Sequence, residues 1–167
     1  MIKVVQAFDR QLISELPGDD AQSLERKLAT AHRLFKDRRA WLKPYERIDI
    51  LRKLATLVEG RREHFGQQIA REGGKPYTDA LIETDRAVDG LRSATEILRT
   101  RAGREIPMGI TKASVNRRAW TLEEPIGVVA AISAFNHPLN LIVHQIAPAI
   151  ATGCPVIVKP ASSTPLN

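Results

Sequence analysis

Two apolar runs of strand length, VVAAISA (128–134) and PVIV (155–158), flank a stretch from about Pro138 to Ala151 that is rich in Ile, Leu and Ala. Apolar runs without alternation mark strands buried on both faces, the situation of a parallel sheet covered by helices. Strand, helix, strand makes a βαβ unit, and its crossover is right-handed. Pro125-Ile126-Gly127 turns the chain into the first strand, and Gly153 stops the helix. A sheet of this kind dictates what the rest of the chain must provide, which is amphipathic helices to cover it.

Residues 19 to 101 read as four such helices. Asp19 is placed to cap the first, with Gln22 in a capping-box position. Leu24, Leu28, Ala31 and Leu34/Phe35 then recur on one face. Pro44 opens the second helix, with Ile48, Leu51, Leu54, Ala55 and Val58 inward and Gly60 at its end. A third runs from about Glu63 to Glu72, with Phe65 and Ile69 inward, and stops at Gly73-Gly74. The fourth spans Tyr77 to Arg101 with a stripe of Leu81, Thr84, Val88, Leu91, Thr95 and Leu98. Ahead of them, Lys3–Phe8 and Gln11–Leu16 read as two short strands split by Asp9-Arg10. Behind them lie a loop, Gly103 to Lys112, and an extended strand, Ala113 to Glu123. Thr164-Pro165 has the form of an N-cap and first-turn proline, so a further helix is expected to start there. Two buried parallel strands without neighbours are not a finished sheet, and the sequence reads as the N-terminal part of something longer.

Charge narrows the function only a little. Lys and Arg number 25 against 19 Asp and Glu, a net +6. The basic residues are scattered and do not interleave with aromatics, which make up 5% of the chain, so a nucleic-acid platform is not expected. No stretch approaches the roughly 20 apolar residues of a membrane-spanning helix. One cysteine forms no internal disulfide, which suits a reducing, cytoplasmic setting. Cys154 lies between Gly153 and Pro155 where a buried strand begins, an apolar setting that disfavours a thiolate. It reads as a small core residue, not a nucleophile.

Ligands of open parallel sheets bind at the carboxyl ends of the strands. Two segments fall there: Ser133-Ala134-Phe135-Asn136-His137-Pro138 and Lys159-Pro160-Ala161-Ser162. Lys159 places a charged donor at the rim, suited to ribose hydroxyls or phosphate, and Ser162, Ser163 and the Thr164 turn add further donors. A plain capping loop accounts for the same residues. Asn136 can donate to a developing oxyanion or cap the helix at Pro138; pattern alone favours the cap. His137 adjoins it, and His144, amid apolar residues in the helix, is expected to be packed. His32 and His64 have no metal-ligand spacing, and no metal site is expected.

The stretch EEPIGVVAAISAFNHPLNLIVHQIAPAIATGCPVIVKPASSTP closely resembles the aldehyde dehydrogenase superfamily. The likeness rests on the Glu-Pro-x-Gly-Val-Val turn, the Phe-Asn-x-Pro loop, the Ala-Pro-Ala-Ile-Ala-x-Gly helix end and the strand closing on Lys-Pro-Ala-Ser. Upstream, Glu72-Gly-Gly-Lys-Pro and Glu83…Arg86-Ala87 resemble the family's N-terminal helices. The resemblance implies an α/β fold. Residues 1–102 would form N-terminal strands and helices packed on a cofactor domain, 103–125 a loop and oligomerisation strand, and 126–167 the first part of an NAD(P)-binding Rossmann-like sheet.

By the same resemblance Asn136 is the oxyanion-stabilising asparagine. Ile132, Ser133, Ala134 and Phe135 line the cofactor, Lys159 binds the adenosine ribose, and Pro160, Ala161 and Ser162 continue that wall. Ser162 stands where NAD-preferring members often carry Glu, which leaves NADP open beside NAD. Phe135 and His137 replace the Trp and Phe common in the loop. The family's cysteine nucleophile and glutamate base are expected beyond this chain, and Cys154 matches a structural position. The expected activity is oxidation of an aldehyde through a cysteine thioester in a cytoplasmic homo-oligomer. The alternative is a truncated, non-catalytic product that binds nucleotide weakly or acts only with a partner chain. A complete small nucleotide-binding module is disfavoured by the unfinished sheet.

Overall fold

The computed structural model describes residues 1–167. Its elements run β1 (Ile2–Val5), β2 (Leu12–Leu16), α1 (Ala21–Lys36), α2 (Pro44–Glu59), α3 (Arg62–Gly73), α4 (Tyr77–Thr100), β3 (Glu105–Ile106), β4 (Ala119–Trp120), β5 (Val129–Ile132), α5 (Pro138–Thr152) and β6 (Val156–Lys159). β5 and β6 pair in parallel, with Val129 opposite Val156 and Ile132 opposite Lys159, so β5–α5–β6 is the βαβ unit the apolar runs require. β1 and β2 form an antiparallel hairpin whose register shifts at Val4/Val5, and β3 and β4 a second, shorter one.

The core lies between helices. α4 packs against α2, α3 and α5, and one cluster joins Leu51, Ala55 and Val58 of α2, Ile69 of α3, Val88 and Leu91 of α4, and Leu139 and Val143 of α5. Alanines 80, 87, 94, 147 and 151 in the same cluster let the axes approach closely. Leu51, Ile69 and Leu91 are wholly buried, each contributing about 1.5–3 kcal/mol of transfer free energy. No helix is long and apolar enough to cross a membrane.

α5, the crossover helix, is held electrostatically at both ends. The buried Glu83 carboxylate of α4 accepts from the backbone N–H groups of Leu139 (3.0 Å) and Asn140 (3.2 Å) in its first turn. Arg47 of α2 donates to the Ala151 carbonyl at 2.5 Å in its last turn. A negative charge at the N-terminus and a positive one at the C-terminus both oppose the helix dipole. Gly153 then reverses the chain in a left-handed conformation (φ +82°), where a Cβ would also sit 3.1 Å from the Arg47 guanidinium.

Several details differ from the sequence-based expectation. Asp20, not Asp19, caps α1 by accepting from the Ser23 N–H; Asp19 instead bonds the Ser23 hydroxyl and the Lys27 ammonium. Only Ala31 of the α1 stripe is buried, because α1 meets the sheet at β6 alone and leaves Leu24, Leu28 and Leu34 exposed. The strand expected over 113–123 is a 3-10 turn at Lys112–Ser114 followed by the two residues of β4. Its partner β3 lies inside the expected loop. Short polar intervals and Asn116 at φ +65° break the extended run. His144 is exposed, at the rim of the groove between α4 and α5 beside Gly90.

Candidate active-site cleft at the carboxyl ends of the parallel strands

β5 delivers its last residue, Ile132, beside Lys159, the last residue of β6, and the Ser133 N–H continues the ladder to the Lys159 carbonyl at 3.0 Å. The two segments singled out in the sequence therefore leave the same sheet edge side by side. Ser133 is buried, and its hydroxyl donates within the loop to the Ala134 and Pro138 carbonyls (3.2 and 3.3 Å), which makes it a loop brace. Ala134, Phe135 and Asn136 are exposed.

Asn136 is not the cap of α5. The capping position is His137, which makes no side-chain cap bond, and the first-turn N–H groups of Leu139 and Asn140 are taken by Glu83. A carboxylate arriving from another helix thus relieves Asn136 of the role that local pattern favours for it. The asparagine faces a cleft of about 470 Å³ whose walls include Lys75, Asp79, Arg86, Phe135 and His137.

Beneath the loop lies a charged cluster. Glu83 is 1% exposed, and its second carboxylate oxygen receives the Lys75 ammonium at 2.5 Å. Lys75 Nζ also lies 2.8 Å from His137 Nδ1. An ion pair so far removed from water persists only when its remaining valences are satisfied, and here the two backbone N–H groups satisfy them.

The second cleft, about 530 Å³, lies on the other side of Phe135, which lines both. Its walls include Lys3 and Arg10 of the hairpin region, Glu72, Ser162 and Ser163. Lys159 is exposed and its ammonium donates to the Pro160 carbonyl at 3.2 Å. Ala161 is buried and supports the turn; Pro160 and Ser162 are exposed. Asn136 and Ser162 thus belong to different clefts, with Phe135 the shared wall.

The further helix expected at Thr164 is absent within these residues: 162–166 form turns, and the Thr164 N–H donates to Ala161. The Leu166 N–H goes to the Glu72 carboxylate at 3.1 Å instead of to a Thr164 cap, and the Asn167 amide bonds the same group. Glu72 is 3% exposed, and burial pushes its carboxyl up to about 7 against the opposing pull of the Leu166 N–H and the Gln68 and Asn167 amides. Glu72 is taken up by this turn, and the side-chain donors on the cleft wall are Lys3, Arg10, Ser162 and Ser163, with Lys159 at the adjoining strand end.

Sequence reasoning on residues alone missed Glu72, Lys75 and Glu83, which entered only within family-like segments. A signal existed for Glu83: it stands between Ala80 and Ala87 on the stripe of α4 that also buries Thr84, Val88 and Leu91. A carboxylate on an apolar stripe announces a buried partner.

Comparison with known proteins follows the same lines. The sequence model of the aldehyde dehydrogenase family matches residues 1–167. The 3-sulfolactaldehyde dehydrogenase of Priestia aryabhattai is 34% identical over 99% of this chain and 34% of its own length. Aldehyde dehydrogenase 21 of Physcomitrella patens, solved in complex with the reaction product succinate, superposes with a TM-score of 0.93 at 32% identity, covering 99% of this chain and 34% of that one. The glyceraldehyde-3-phosphate dehydrogenase GapN of Methanocaldococcus jannaschii, complexed with NADP, gives a TM-score of 0.91 at 30% identity, over 99% and 35%. The chain spans about a third of the length of these relatives.

Proposed function

The chain belongs to the aldehyde dehydrogenase family, and on that premise we propose that it supplies the oxyanion donor and the adenosine-side wall of an NAD(P)-dependent oxidation of a small anionic aldehyde. The observation that carries this reading is the release of Asn136 from capping. Its amide stands in a cleft on a loop whose next helical turn is pinned by Glu83. A preorganised donor of this kind stabilises the negative oxygen that forms when a nucleophile adds to a carbonyl.

The residues at the strand ends fit the adenosine half of a nicotinamide dinucleotide. Lys159 bonds only a backbone carbonyl, so its ammonium is available to ribose hydroxyls, and the exposed Ile132 beside it offers apolar surface to a base. Ser162, in place of a carboxylate, tolerates the 2′-phosphate of NADP as well as the 2′-hydroxyl of NAD. The bound nicotinamide supplies the hydride acceptor. Phe135 separates the cleft of Asn136 from that of Ser162 and Ser163.

Cys154, the chain's one cysteine, is buried where β6 begins, at the opposite end of the strand from Lys159. We therefore do not assign the thiol nucleophile to Cys154, and we assign the general base to no residue of this cleft. The substrate class is read from the side-chain donors that the cleft wall leaves open beside Asn136, Arg86 and His137, which suit an oxygen-rich anionic group. The relatives named for 3-sulfolactaldehyde and solved with succinate point the same way. The test is NAD(P)H formation by the protein at its native length, with succinic semialdehyde and with propionaldehyde. The reading expects turnover with preference for the carboxylated aldehyde. No reduction of either cofactor with either aldehyde would overturn it.

A further inference from the structure

We propose that Lys75 and Glu83 are positioning residues that hold His137 as a neutral ring with its proton on Nε2, so that His137 donates from the cleft wall, beside Asn136, to the anionic group of the substrate. This rests on the aldehyde-oxidising reading for its substrate, but not for its proton. The three side chains form a gradient of burial: Glu83 is fully buried, Lys75 is 15% exposed and His137 is 39% exposed. Each step outward fixes the next.

Glu83 comes first. One of its oxygens holds the Leu139 and Asn140 N–H groups and the other holds Lys75, so both oxygens are engaged and the carboxylate is fixed in place. Lys75 comes next. Its ammonium carries only donors, and one of them lies 2.8 Å from His137 Nδ1. Nδ1 must therefore accept, because a proton there would set two donors against each other. The competing pairing, from Nδ1 to Glu83 Oε2, spans 3.4 Å, longer than either bond that Lys75 makes to the same two groups. In a neutral imidazole with Nδ1 accepting, the proton sits on Nε2.

Ring geometry aims that proton. Nδ1 points inward to the Lys75–Glu83 pair, so Nε2 points away from it, and His137 lines the same cleft as Asn136 and Arg86. The charged groups facing this cleft are Lys75, Asp79 and Arg86. Lys75 already bonds Glu83 and His137, so the donors open to a ligand beside Asn136 are His137 Nε2–H and the Arg86 guanidinium. A neutral N–H selects an oxygen acceptor at a fixed angle, which a mobile surface cation does not.

Neutron diffraction from the protein at its native length reads the proton directly. A deuteron on Nε2 with none on Nδ1 is expected; a deuteron on Nδ1 overturns the proposal. Lys75→Met, which keeps the length but removes the donor, is expected to release the ring from this single protonation pattern. Kinetics test the recognition step. His137→Leu is expected to lower the preference for succinic semialdehyde over propionaldehyde about tenfold, the loss of one hydrogen bond to a charged group. His137→Gln retains an acceptor for Lys75 and an N–H for the cleft and is expected to restore most of that preference. An unchanged ratio in His137→Leu overturns the proposal. If no aldehyde is turned over, the dehydrogenase reading fails while the neutron result stands. Succinate affinity by calorimetry then replaces the ratio: weakening in His137→Leu supports the proposal, and equal affinity overturns it.

Discussion

Replacing Glu83 tests how the cleft is built. Its carboxylate engages an ammonium that is 15% exposed and two backbone N–H groups at the start of α5. Glu83→Ala leaves the ammonium without its counter-charge and both N–H groups without an acceptor. Breaking a buried pair in this way costs about 3–5 kcal/mol. Glu83→Gln keeps the shape and an amide oxygen but removes the charge, and is expected to cost about 1.5–3 kcal/mol, the range for a hydrogen bond to a charged group. The double variant Glu83→Ala/Lys75→Met removes both charges and should be less destabilised than Glu83→Ala alone, since no unpaired ammonium remains. Hydrogen exchange is the most local assay, because the loss falls on the first turn of α5. A loss of about 2 kcal/mol speeds exchange there by roughly 30-fold if the turn opens locally. Unchanged protection of Leu139 and Asn140 in Glu83→Ala would refute the assignment of Glu83 as the cap of α5.

Glu72 predicts a pH dependence with a definite sign. Its carboxyl is raised from 4.5 to about 7 by burial, so between those values the folded chain holds a proton that the unfolded chain releases. The stability it contributes is fully present below pH 4.5 and is lost as the pH rises through about 7. Denaturant midpoints across that window should flatten in Glu72→Gln, and an unaltered slope would discount the group. At the second cleft, Ser162→Glu should weaken NADP relative to NAD by about tenfold, roughly 1.4 kcal/mol, as measured by the ratio of their dissociation constants. An unchanged ratio would move the 2′-phosphate away from Ser162.

The helices and the βαβ unit were legible because their signals are local and periodic. Leu51, Ala55 and Val58 repeat at helical spacing and are buried as that spacing requires. Proline and glycine likewise mark the boundaries of α2, α3 and α5 correctly. The region 103–123 was misread because isolated Val115 and Trp120 suggest a strand, whereas the pairing that defines one depends on Glu105 and Ile106, more than a dozen residues away. Within the cleft, the chain positions of Asn136 and Lys159 pointed to the sheet edge, and parallel pairing puts both segments there. What local pattern misassigned was the cap of α5. Asn136 is the nearest residue of capping type, yet the cap comes from Glu83, 56 residues from Leu139 in sequence. The same holds at Leu166, whose N–H is met by Glu72 across 94 residues. Long-range carboxylates of this sort leave only a faint local trace, an acid on an otherwise apolar stripe.

The measurement that bears most directly on the account is the turnover of Asn136→Ala in the protein at its native length. The account predicts a fall in kcat of about 10²–10³, the loss of one oxyanion donor, with NAD(P) affinity unaltered because the adenosine wall is formed elsewhere. Wild-type kcat in that variant, or a loss confined to cofactor affinity, would contradict it.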